Sequence, residues 1–579
     1  MRYNPFAYEA ATSLQPSDIV QIYIEDFNFS RFIDSTKNIF LIGERGTGKS
    51  MALRYNSLPV QVEKNGCMPK NKILSIYIPC HTMLIQSKEH EILDEVHASI
   101  VSEHFLVISI MYNLVSSLKV IGNIFNNVDK NNIIDDLNYI LNFDISKKYG
   151  VIDGICKYLQ RTLSTTKMNL LESVSNERAT QLFPSMLSFA GHAVPLMEQL
   201  TKIPELNGCH FSLMLDDEQH LNQYQVKKVN SWIAHRDHSL FSFKIATTKI
   251  DKPSYITDGG GYIVEGHDFT SIDMEQDYYN QNSNFGKLAF DIITRRIHKL
   301  SGLKDIDAKK YFPENENFTR DIEEARKEVR AIAESKFPDG PVKSINDYIY
   351  KYTRAYYFRK RSSKANRPPY SGFETIVQIS TGVVRNLLEP CFWMYDSALS
   401  ETKESEKGAV ISHIPAKIQT EIILDQSLKK WQWLRDGLDK VDANCTHEQA
   451  AQIYCLIDNV CLLFRKRLLE DISEPRAVMF SISNKDSDCY EYIIGLINIA
   501  RRSQYIYERL GNSKDDGREE PYYIINKILL PARGLDPVGQ HARVSITAQR
   551  LYDAAVFNKP ISMGTKDFRD GTSLLDFFK

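Results

Sequence analysis

Positions 43–50 read Gly-Glu-Arg-Gly-Thr-Gly-Lys-Ser and match every position of the phosphate-binding loop pattern G-x-x-x-x-G-K-S. The loop follows the apolar run 38–42 and precedes a helix-compatible stretch, which is the strand, loop and helix context that the motif requires. Glycines at 43, 46 and 48 predict a backbone with positive φ that approaches phosphate oxygens closely. The alternative is a glycine-rich turn that matches by chance. The complete match behind a strand favours binding of a nucleoside triphosphate.

The side chains of this loop have predicted roles in binding ATP and Mg²⁺. Lys49 is expected to reach the β- and γ-phosphates, and the Ser50 hydroxyl to complete the magnesium shell. The residues predicted to bind the nucleotide are Gly43, Glu44, Arg45, Gly46, Thr47, Gly48, Lys49, Ser50 and Met51.

A second acidic element lies at 211–218, where an apolar strand ends in Asp216, Asp217 and Glu218. Mg²⁺ prefers few carboxylates and keeps several waters, so Asp216 is predicted to bind the ion together with Ser50. Asp217 is expected to face the γ-phosphate and to orient or deprotonate the attacking water, and Glu218 takes this role if the register is shifted by one. The alternative is an acidic cap on the next helix, and both interpretations are compatible.

A further strand is predicted at 241–248, after a helix-like segment at 224–235. It ends in Thr247 and Thr248. In three-layer P-loop ATPases a polar residue at this strand end contacts the γ-phosphate and the attacking water, so both threonines are candidates for a sensor. The alternative is two β-forming residues at a strand end. The predicted catalytic residues are therefore Lys49, Asp217, Glu218, Thr247 and Thr248.

These motifs make the chain similar to the AAA+ ATPases, in particular to the origin-recognition-complex-like branch and the related signal-transducing STAND ATPases. The likeness covers about the first two thirds of the chain. It rests on residues 4–6 (Asn-Pro-Phe), 43–50, 213–218, 245–248 and 380–388. The resemblance implies ATPase activity and a homo-oligomer. It also implies a fold of the α/β class, a three-layer P-loop NTPase with a helical lid.

The resemblance also implies roles for arginines. Arg385 matches the second sensor of the nucleotide in the lid. An arginine from a neighbouring subunit usually stabilises the transferring phosphoryl group, and Arg236, Arg295 and Arg296 are the candidates. The usual Asp-Glu pair is replaced here by two aspartates, as in STAND members. This departure favours a slow nucleotide switch over fast turnover.

The chain is too long for one core, since it has 579 residues, and about three domains are predicted. We expect a nucleotide-binding domain at 1–270, which contains a helical insertion at about 89–200. A helical lid is expected at 271–400. A winged-helix-like domain is expected at 401–579.

The prediction of a winged helix rests on the order of elements after about residue 446. The sequence indicates a helix, a strand, a helix and a hairpin at 448–469, 476–482, 490–500, and 504–510 with 522–529. In origin-recognition-like ATPases such a domain commonly docks on DNA. The hairpin tip at 512–520 holds four acids and two basic residues, which disfavours phosphate contact. A protein-binding winged helix is therefore an alternative.

A basic segment at 351–367 contains seven lysines and arginines interleaved with aromatic residues and no acid. One interpretation is contact with nucleic-acid phosphates, with aromatic side chains available for stacking. The other is a lid helix whose aromatic residues are buried and whose charges are solvated or paired.

Composition and patterning indicate a cytoplasmic protein. The net charge is −2, and nine cysteines occur without a C-x-x-C pair, as expected for a reducing compartment. The N-terminus lacks the apolar region of a signal peptide. The most apolar stretch, 105–125, contains serine, asparagine and lysine, so a buried helix is expected rather than a membrane span.

Two classes of function agree with these features. One is a switch or scaffold that binds ATP, oligomerises and recruits or activates a protein effector, as STAND proteins do in bacterial antiviral defence. The other is a DNA-associated ATPase of the loader type. The paired aspartates and the lack of global basic charge favour the first class.

Overall fold

The computed structural model describes sixteen segments of the chain. These are residues 4–7, 11–25, 30–122, 130–145, 150–175, 186–235, 239–250, 254–275, 284–338, 340–362, 368–401, 410–442, 444–470, 476–512, 519–538 and 542–562. The chain divides into two compact units. The N-terminal unit is Glu9–Asn282, and the C-terminal unit is Ser283–Lys579 together with Met1–Tyr8.

The N-terminal unit is built on a five-stranded parallel sheet. Its strands are β1 (Ile39–Ile42), β2 (Ile73–Pro79), β3 (His210–Asp216), β4 (Phe241–Thr247) and β5 (Thr270–Asp273). They lie in the order β2-β3-β4-β1-β5, and each neighbouring pair is parallel. Every residue of β3 and β4 is buried, as expected for central strands covered on both faces. The predicted α/β P-loop fold is confirmed.

Nine helices accompany this sheet in the described part of the unit. They are α1 (Pro16–Ile22), α2 (Ser30–Ile33), α3 (Lys49–Asn56), α4 (Leu58–Asn65), α5 (Glu95–Leu118), α6 (Lys130–Leu141), α7 (Val151–Ser175), α8 (Val194–Thr201) and α9 (Gln223–Ala234). Four of them, α5 to α8, lie between β2 and β3, where the sequence predicts a helical insertion. They bury their apolar residues in the same core as β2 to β4.

Helix α5 is the most apolar helix of the chain and is largely buried. Within the described segments, Glu95–Ile121 is the one stretch whose length and composition would allow it to cross a membrane. However, 61% of its most apolar window is buried inside the protein. It packs on β2, α7 and α9. This burial is typical of the core helix of a soluble protein.

The C-terminal unit combines eleven described helices with a second sheet. The helices are α10 (Asn284–Arg296), α11 (Ala308–Tyr311), α12 (Glu316–Lys336), α13 (Val342–Ser362), α14 (Phe373–Ile379), α15 (Val384–Glu401), α16 (Ala416–Asp436), α17 (Leu438–Val441), α18 (His447–Glu470), α19 (Cys489–Arg502) and α20 (Ala548–Phe557). The strands are β6 (Ala477–Ser483), β7 (Ile506–Asn512), β8 (Glu519–Ile525) and β9 (Ala542–Thr547).

The second sheet has the order β7-β8-β6-β9. The pair β7 and β8 forms the predicted antiparallel hairpin, and β6 pairs antiparallel with β8. Strand β8 ends earlier than predicted because Asn526 accepts a hydrogen bond from the Ile528 amide and caps a short 3-10 turn. The parallel strand β9 and helix α20 are additions that the sequence did not predict. The winged-helix assignment and the boundary at 400 stay predictions. The tip residues 513–518 lie outside the described segments.

The Asn-Pro-Phe opening packs inside the C-terminal unit. Phe6 is fully buried, and its ring contacts those of Tyr311, Phe312 and Tyr395. Arg296 fixes the same segment, because its Nη1 donates to backbone carbonyls of residues 5 and 7 at 3.0 and 2.8 Å. The opening is therefore part of the core of this unit.

Four basic side chains of the basic segment, which lies on α13, have partners elsewhere in the unit. Arg354 donates two hydrogen bonds to Asp536 at 2.8 and 2.9 Å. Arg359 is buried and donates to a carbonyl of α18 at 2.6 Å. Lys360 and Arg361 pair with carboxylates of α12. These contacts favour the interpretation of a packed helix over a surface for nucleic acid. Two predicted residues of the segment lie outside the described part of the chain, Lys364 and Arg367.

Asp536 is expected to be essential for the stability of this unit. It is buried and accepts hydrogen bonds from Arg354 and Arg476. The substitution Asp536→Asn leaves the buried guanidinium of Arg476 and the half-buried one of Arg354 without their counter-charge, so it should lower the free energy of unfolding by about 3–5 kcal/mol. Denaturant unfolding followed by tryptophan fluorescence measures this. Asp436→Asn, at an exposed carboxylate paired with Arg435, is the control and should leave the midpoint in place. Equal midpoints for both variants would refute the expectation.

Candidate nucleotide-binding site

The loop between β1 and α3 turns tightly around its glycines. Gly46 and Gly48 have φ of 86° and 101°, in the left-handed region that favours glycine. Gly43 does not have the predicted positive φ. A Cβ atom there would lie 3.0 Å from Thr47 Oγ1, so a larger residue at this position would crowd the Thr47 hydroxyl. Helix α3 begins at Lys49, and its N-terminal amides and dipole face the loop.

Lys49 is buried against the loop that it follows. Its Nζ donates to the carbonyls of Gly43 at 2.8 Å and Glu44 at 2.9 Å. Burial lowers the pKa of this lysine, because the charged form loses hydration. Nearby carboxylates act in the opposite direction, in order of effect Asp217, Asp216, Glu275 and Glu44. The ammonium group therefore lies where the loop and the acidic strand end converge.

Asp216 closes β3 and is 2% exposed. The hydroxyl of Tyr77 donates to its Oδ2 at 2.6 Å, whereas its Oδ1 has no hydrogen-bond partner in the described segments. Burial raises the pKa of Asp216 to about 6, and Asp217 adds to the rise, while Tyr77, Ser50 and Lys49 oppose it. A buried carboxylate oxygen without a partner, next to a serine hydroxyl, fits the ligand set that Mg²⁺ takes at such a loop.

The two acids after Asp216 have different partners. Asp217 has φ 60° and ψ 54°, a left-handed conformation that aspartate adopts more readily than most residues. Its carboxylate accepts from Gln219 Nε2 at 3.0 Å, and it is the carboxylate with the largest effect on Lys49. Glu218 is buried and accepts from Thr247 Oγ1 at 2.8 Å. Asp217 therefore stabilises the charged form of Lys49, whereas Glu218 is hydrogen-bonded to Thr247 at the end of β4.

The remaining predicted residues are distributed around this centre or lie elsewhere. Thr248 is buried directly after β4, and Met51 packs in the apolar cluster beneath β1. Arg45 is exposed on the loop. Arg385 belongs to the C-terminal unit, where it is exposed in the first turn of α15. Its role as a nucleotide sensor stays a prediction.

The candidates for the trans-acting arginine differ in their surroundings. Arg296 is buried and bonded to the N-terminal opening, so use of this residue would require breaking those bonds. Arg295 is half-buried on α10. Arg236 lies outside the described segments. The geometry therefore disfavours Arg296 and leaves the other two as predictions.

Sequence reasoning missed several side chains at this edge of the sheet. Tyr77 bonds to Asp216 from the neighbouring strand. Lys249 pairs with Asp273 at 2.7 Å and with the fully buried Glu275 at 2.8 Å. Asp273 ends the short strand β5 and Glu275 follows it, but the sequence analysis did not identify this strand. The rule that ligands of parallel sheets bind outside the carboxyl ends of strands points to these acids only once β5 is known.

Comparison with known proteins gives one family. A family model described as ORC-CDC6-like matches residues 4–341 and 323–546, which is most of the chain. The match includes the loop, the acidic strand end and the end of β4. No curated protein matches the chain.

The raised pKa of Asp216 predicts a conflict between stability and function. Its folded-state pKa of about 6 exceeds the unfolded value of about 4, so folding favours the protonated acid. The free energy of unfolding therefore falls as the pH rises from about 4 to about 6, and it stays lower at higher pH. Without magnesium at pH 8, Asp216→Asn should raise the free energy of unfolding by about 1–3 kcal/mol, and less at pH 4.

Denaturant unfolding in EDTA at both pH values checks this expectation. The control is Glu63→Gln, at an exposed residue of α4, which should have no effect on the difference between the two pH values. If Asp216→Asn is less stable than the wild type at pH 8, the ionised Asp216 carboxylate does not destabilise the folded protein.

Proposed function

The chain belongs to the ORC-CDC6-like family, and from this premise we propose that it is an ATP-dependent switch. It binds Mg·ATP at the loop after β1, hydrolyses it slowly, forms a homo-oligomer and recruits or activates a protein effector. The observation that carries the proposal is the convergence of Lys49, Asp216 and Asp217 at one edge of the parallel sheet.

The binding roles follow from the contacts of each side chain. Lys49 would exchange its two carbonyl contacts for the β- and γ-phosphates, with which a buried ammonium group interacts more strongly. Ser50 and Asp216 would hold Mg²⁺, which, when bound, neutralises charge on the phosphate oxygens. Tyr77 orients the Asp216 carboxylate through its hydrogen bond.

The acids beyond Asp216 support slow hydrolysis. Asp217 is one methylene shorter than the glutamate usual at this position, and its carboxylate is also bonded to Gln219. Glu218 is engaged by Thr247. We assign the orientation of the attacking water to Asp217, because it is the carboxylate with the largest electrostatic effect on Lys49. The Glu218–Thr247 pair would then sense the γ-phosphate.

A protein partner fits the charge distribution better than DNA does. The net charge of the chain is −2, and four basic side chains of α13 are paired or buried, namely Arg354, Arg359, Lys360 and Arg361. Non-specific binding to DNA depends on lysines and arginines that are available to phosphates. A cytoplasmic location and a role in bacterial antiviral defence are further parts of the proposal. The second of these rests on the resemblance to STAND ATPases alone.

Turnover measurements separate the catalytic roles of the two acids. Asp217→Asn should lower ATP turnover by about 10²–10⁴-fold through loss of the base, with ATP affinity changed only a few-fold. Asparagine also tolerates the left-handed backbone at this position, so the loop should keep its shape. Glu218→Gln is the matched variant and should retain more activity. Loss of turnover in Glu218→Gln with activity kept in Asp217→Asn would move the role to Glu218.

The same assay tests the choice between a switch and a DNA-associated ATPase. Wild-type turnover is measured with and without double-stranded DNA, and Lys49→Ala is the variant without nucleotide binding. We expect slow turnover that DNA does not change. Stimulation by DNA that Lys49→Ala abolishes would instead support the loader.

Oligomerisation should depend on bound ATP. In sedimentation velocity, Asp217→Asn with Mg·ATP should form a larger species than with Mg·ADP, because the variant retains uncleaved nucleotide. Lys49→Ala should remain at the smaller size under both conditions. A monomer at micromolar concentration in every state would remove the support for an oligomerising switch and for a trans-acting arginine.

A further inference from the structure

A cavity of about 510 Å³ lies within the C-terminal unit, and all its lining residues belong to that unit. Its walls come from α15, α16 and the short segments after α16, α19 and β8. Helix α15 contributes a continuous stripe of residues with helical spacing: Asn386, Glu389, Pro390 and Trp393. The volume lies in the range of sites for small organic molecules, about 300–1,000 Å³.

Three aromatic rings form much of the cavity wall. Tyr505 is buried, whereas Trp393 and Trp433 are 39% and 59% exposed. Tryptophan exposed to this extent leaves a large apolar surface in contact with water, which a soluble protein usually avoids. The rings provide flat surfaces against which a planar molecule can stack.

Lys430 places a cation beside the Tyr505 ring, and no anion pairs with it in the described segments. It is half-buried, and its Nζ lies 4.9 Å from the centre of the Tyr505 ring. Burial lowers its pKa, and Glu389 acts in the opposite direction. Across the described segments, Lys430 has neither an ion pair nor a hydrogen bond. Its neighbour Lys429 also lines the cavity, with its Nζ 5.9 Å from the centre of the Trp393 ring, but it is exposed and its charge is paired with Asp425 at 2.7 Å.

A desolvated ammonium group without a direct counter-ion favours an anion that enters the cavity. The surrounding rings favour a flat apolar body attached to that anion. We propose that the cavity binds a small molecule that combines a planar aromatic body with an anionic group, with Lys430 as the anion-binding residue. Carboxylate, sulfonate and phosphate share this chemistry.

The position of the cavity on α15 suggests what the ligand does. The helix that forms its wall carries Arg385 directly before Asn386, and Arg385 is the predicted nucleotide sensor. A ligand that holds this stripe would therefore change the nucleotide affinity of the protein. This second step rests on the proposed function, whereas binding in the cavity does not.

Binding is tested on the full chain in a Lys49→Ala background, so that the phosphate loop does not contribute. The probe is 1-anilinonaphthalene-8-sulfonate, which fluoresces in apolar sites. Its uncharged partner is N-phenyl-1-naphthylamine, which has the same aromatic body without the sulfonate. We expect saturable binding of the sulfonate at one site, about tenfold or more tighter than the uncharged probe.

Substitutions then assign the preference to one side chain. Lys430→Met should remove the preference for the charged probe and leave binding of the uncharged probe nearly unchanged. Lys429→Met removes the second cation of the cavity wall, and it should keep the preference because the charge of Lys429 is already paired with Asp425. If Lys430→Met does not fold, Lys430→Gln replaces it. Equal binding of both probes by the parent protein, or a preference that survives loss of Lys430, would overturn the proposal.

Further probes distinguish the sources of the anion. Indole-3-acetate supplies a carboxylate and flavin mononucleotide a phosphate, and each is tested by displacement of the sulfonate probe. Displacement by one and not the other identifies the preferred anion. Displacement by neither, together with loss of the charge preference, would restrict the cavity to apolar compounds and contradict the proposal.

The coupling is tested separately, with Lys49 restored and a fluorescent ATP analogue. A saturating probe should change the affinity for the analogue at least threefold in the parent protein, and should not do so in Lys430→Met. By linkage, the analogue must change the affinity for the probe by the same factor. Unchanged affinity alongside confirmed probe binding would overturn the coupling alone. Absence of nucleotide binding would instead refute the proposed function.

Discussion

The nucleotide site depends on the electrostatic balance between Lys49 and the carboxylates around it. An ammonium group loses hydration when it is buried, and so does the carboxylate of Asp216 at the end of β3. Each group alone would be costly in this position, and together they reduce the cost of both. The balance is incomplete, because burial still lowers the pKa of the lysine and raises that of the aspartate. Bound magnesium would stabilise the Asp216 carboxylate, and bound phosphates would stabilise the Lys49 ammonium group.

The order of strands explains why these groups meet. Because β4 lies between β1 and β3, the phosphate loop, Thr247 and the acidic triplet all emerge at the same edge of the sheet. Parallel pairing places every carboxyl end there. Glu218 reaches Thr247 across one strand spacing, and Asp217 acts on Lys49 across two. The chain leaves the strand conformation at Asp217, whose backbone is left-handed. Asp217 and Glu218 therefore have different partners, although they are adjacent in the sequence.

Much of the fold and the centre of the site could be predicted, because their signals are local. The phosphate loop needs glycines and a lysine at fixed spacing, and the hairpin of the second sheet follows from two strands around a polar tip. Tyr77 and Glu275 could not be predicted in the same way, because strand order alone brings them to the loop. The positive φ predicted for Gly43 was wrong, and the feature that favours glycine there is the close approach of the Thr47 hydroxyl. The pairing of Arg354 with Asp536 is equally invisible, because 182 positions separate the two residues.

Buried and half-buried cations of this chain lose hydration and are stabilised in different ways, and the comparison distinguishes Lys430 from the others. Lys244 of β4 has a pKa lowered to about 7 by burial, but its ammonium donates to Ser242 Oγ and a backbone carbonyl. Arg354 and Arg476 share a buried carboxylate. Lys49 lies among carboxylates and beside two carbonyls.

Lys430 differs, because its contacts are one ring face and a more distant acid, Glu389. Cation–π contact with one ring offsets about 0.5–2 kcal/mol, less than a buried charge loses in hydration. An anionic ligand would supply the part of the lost hydration that the cation–π contact does not offset.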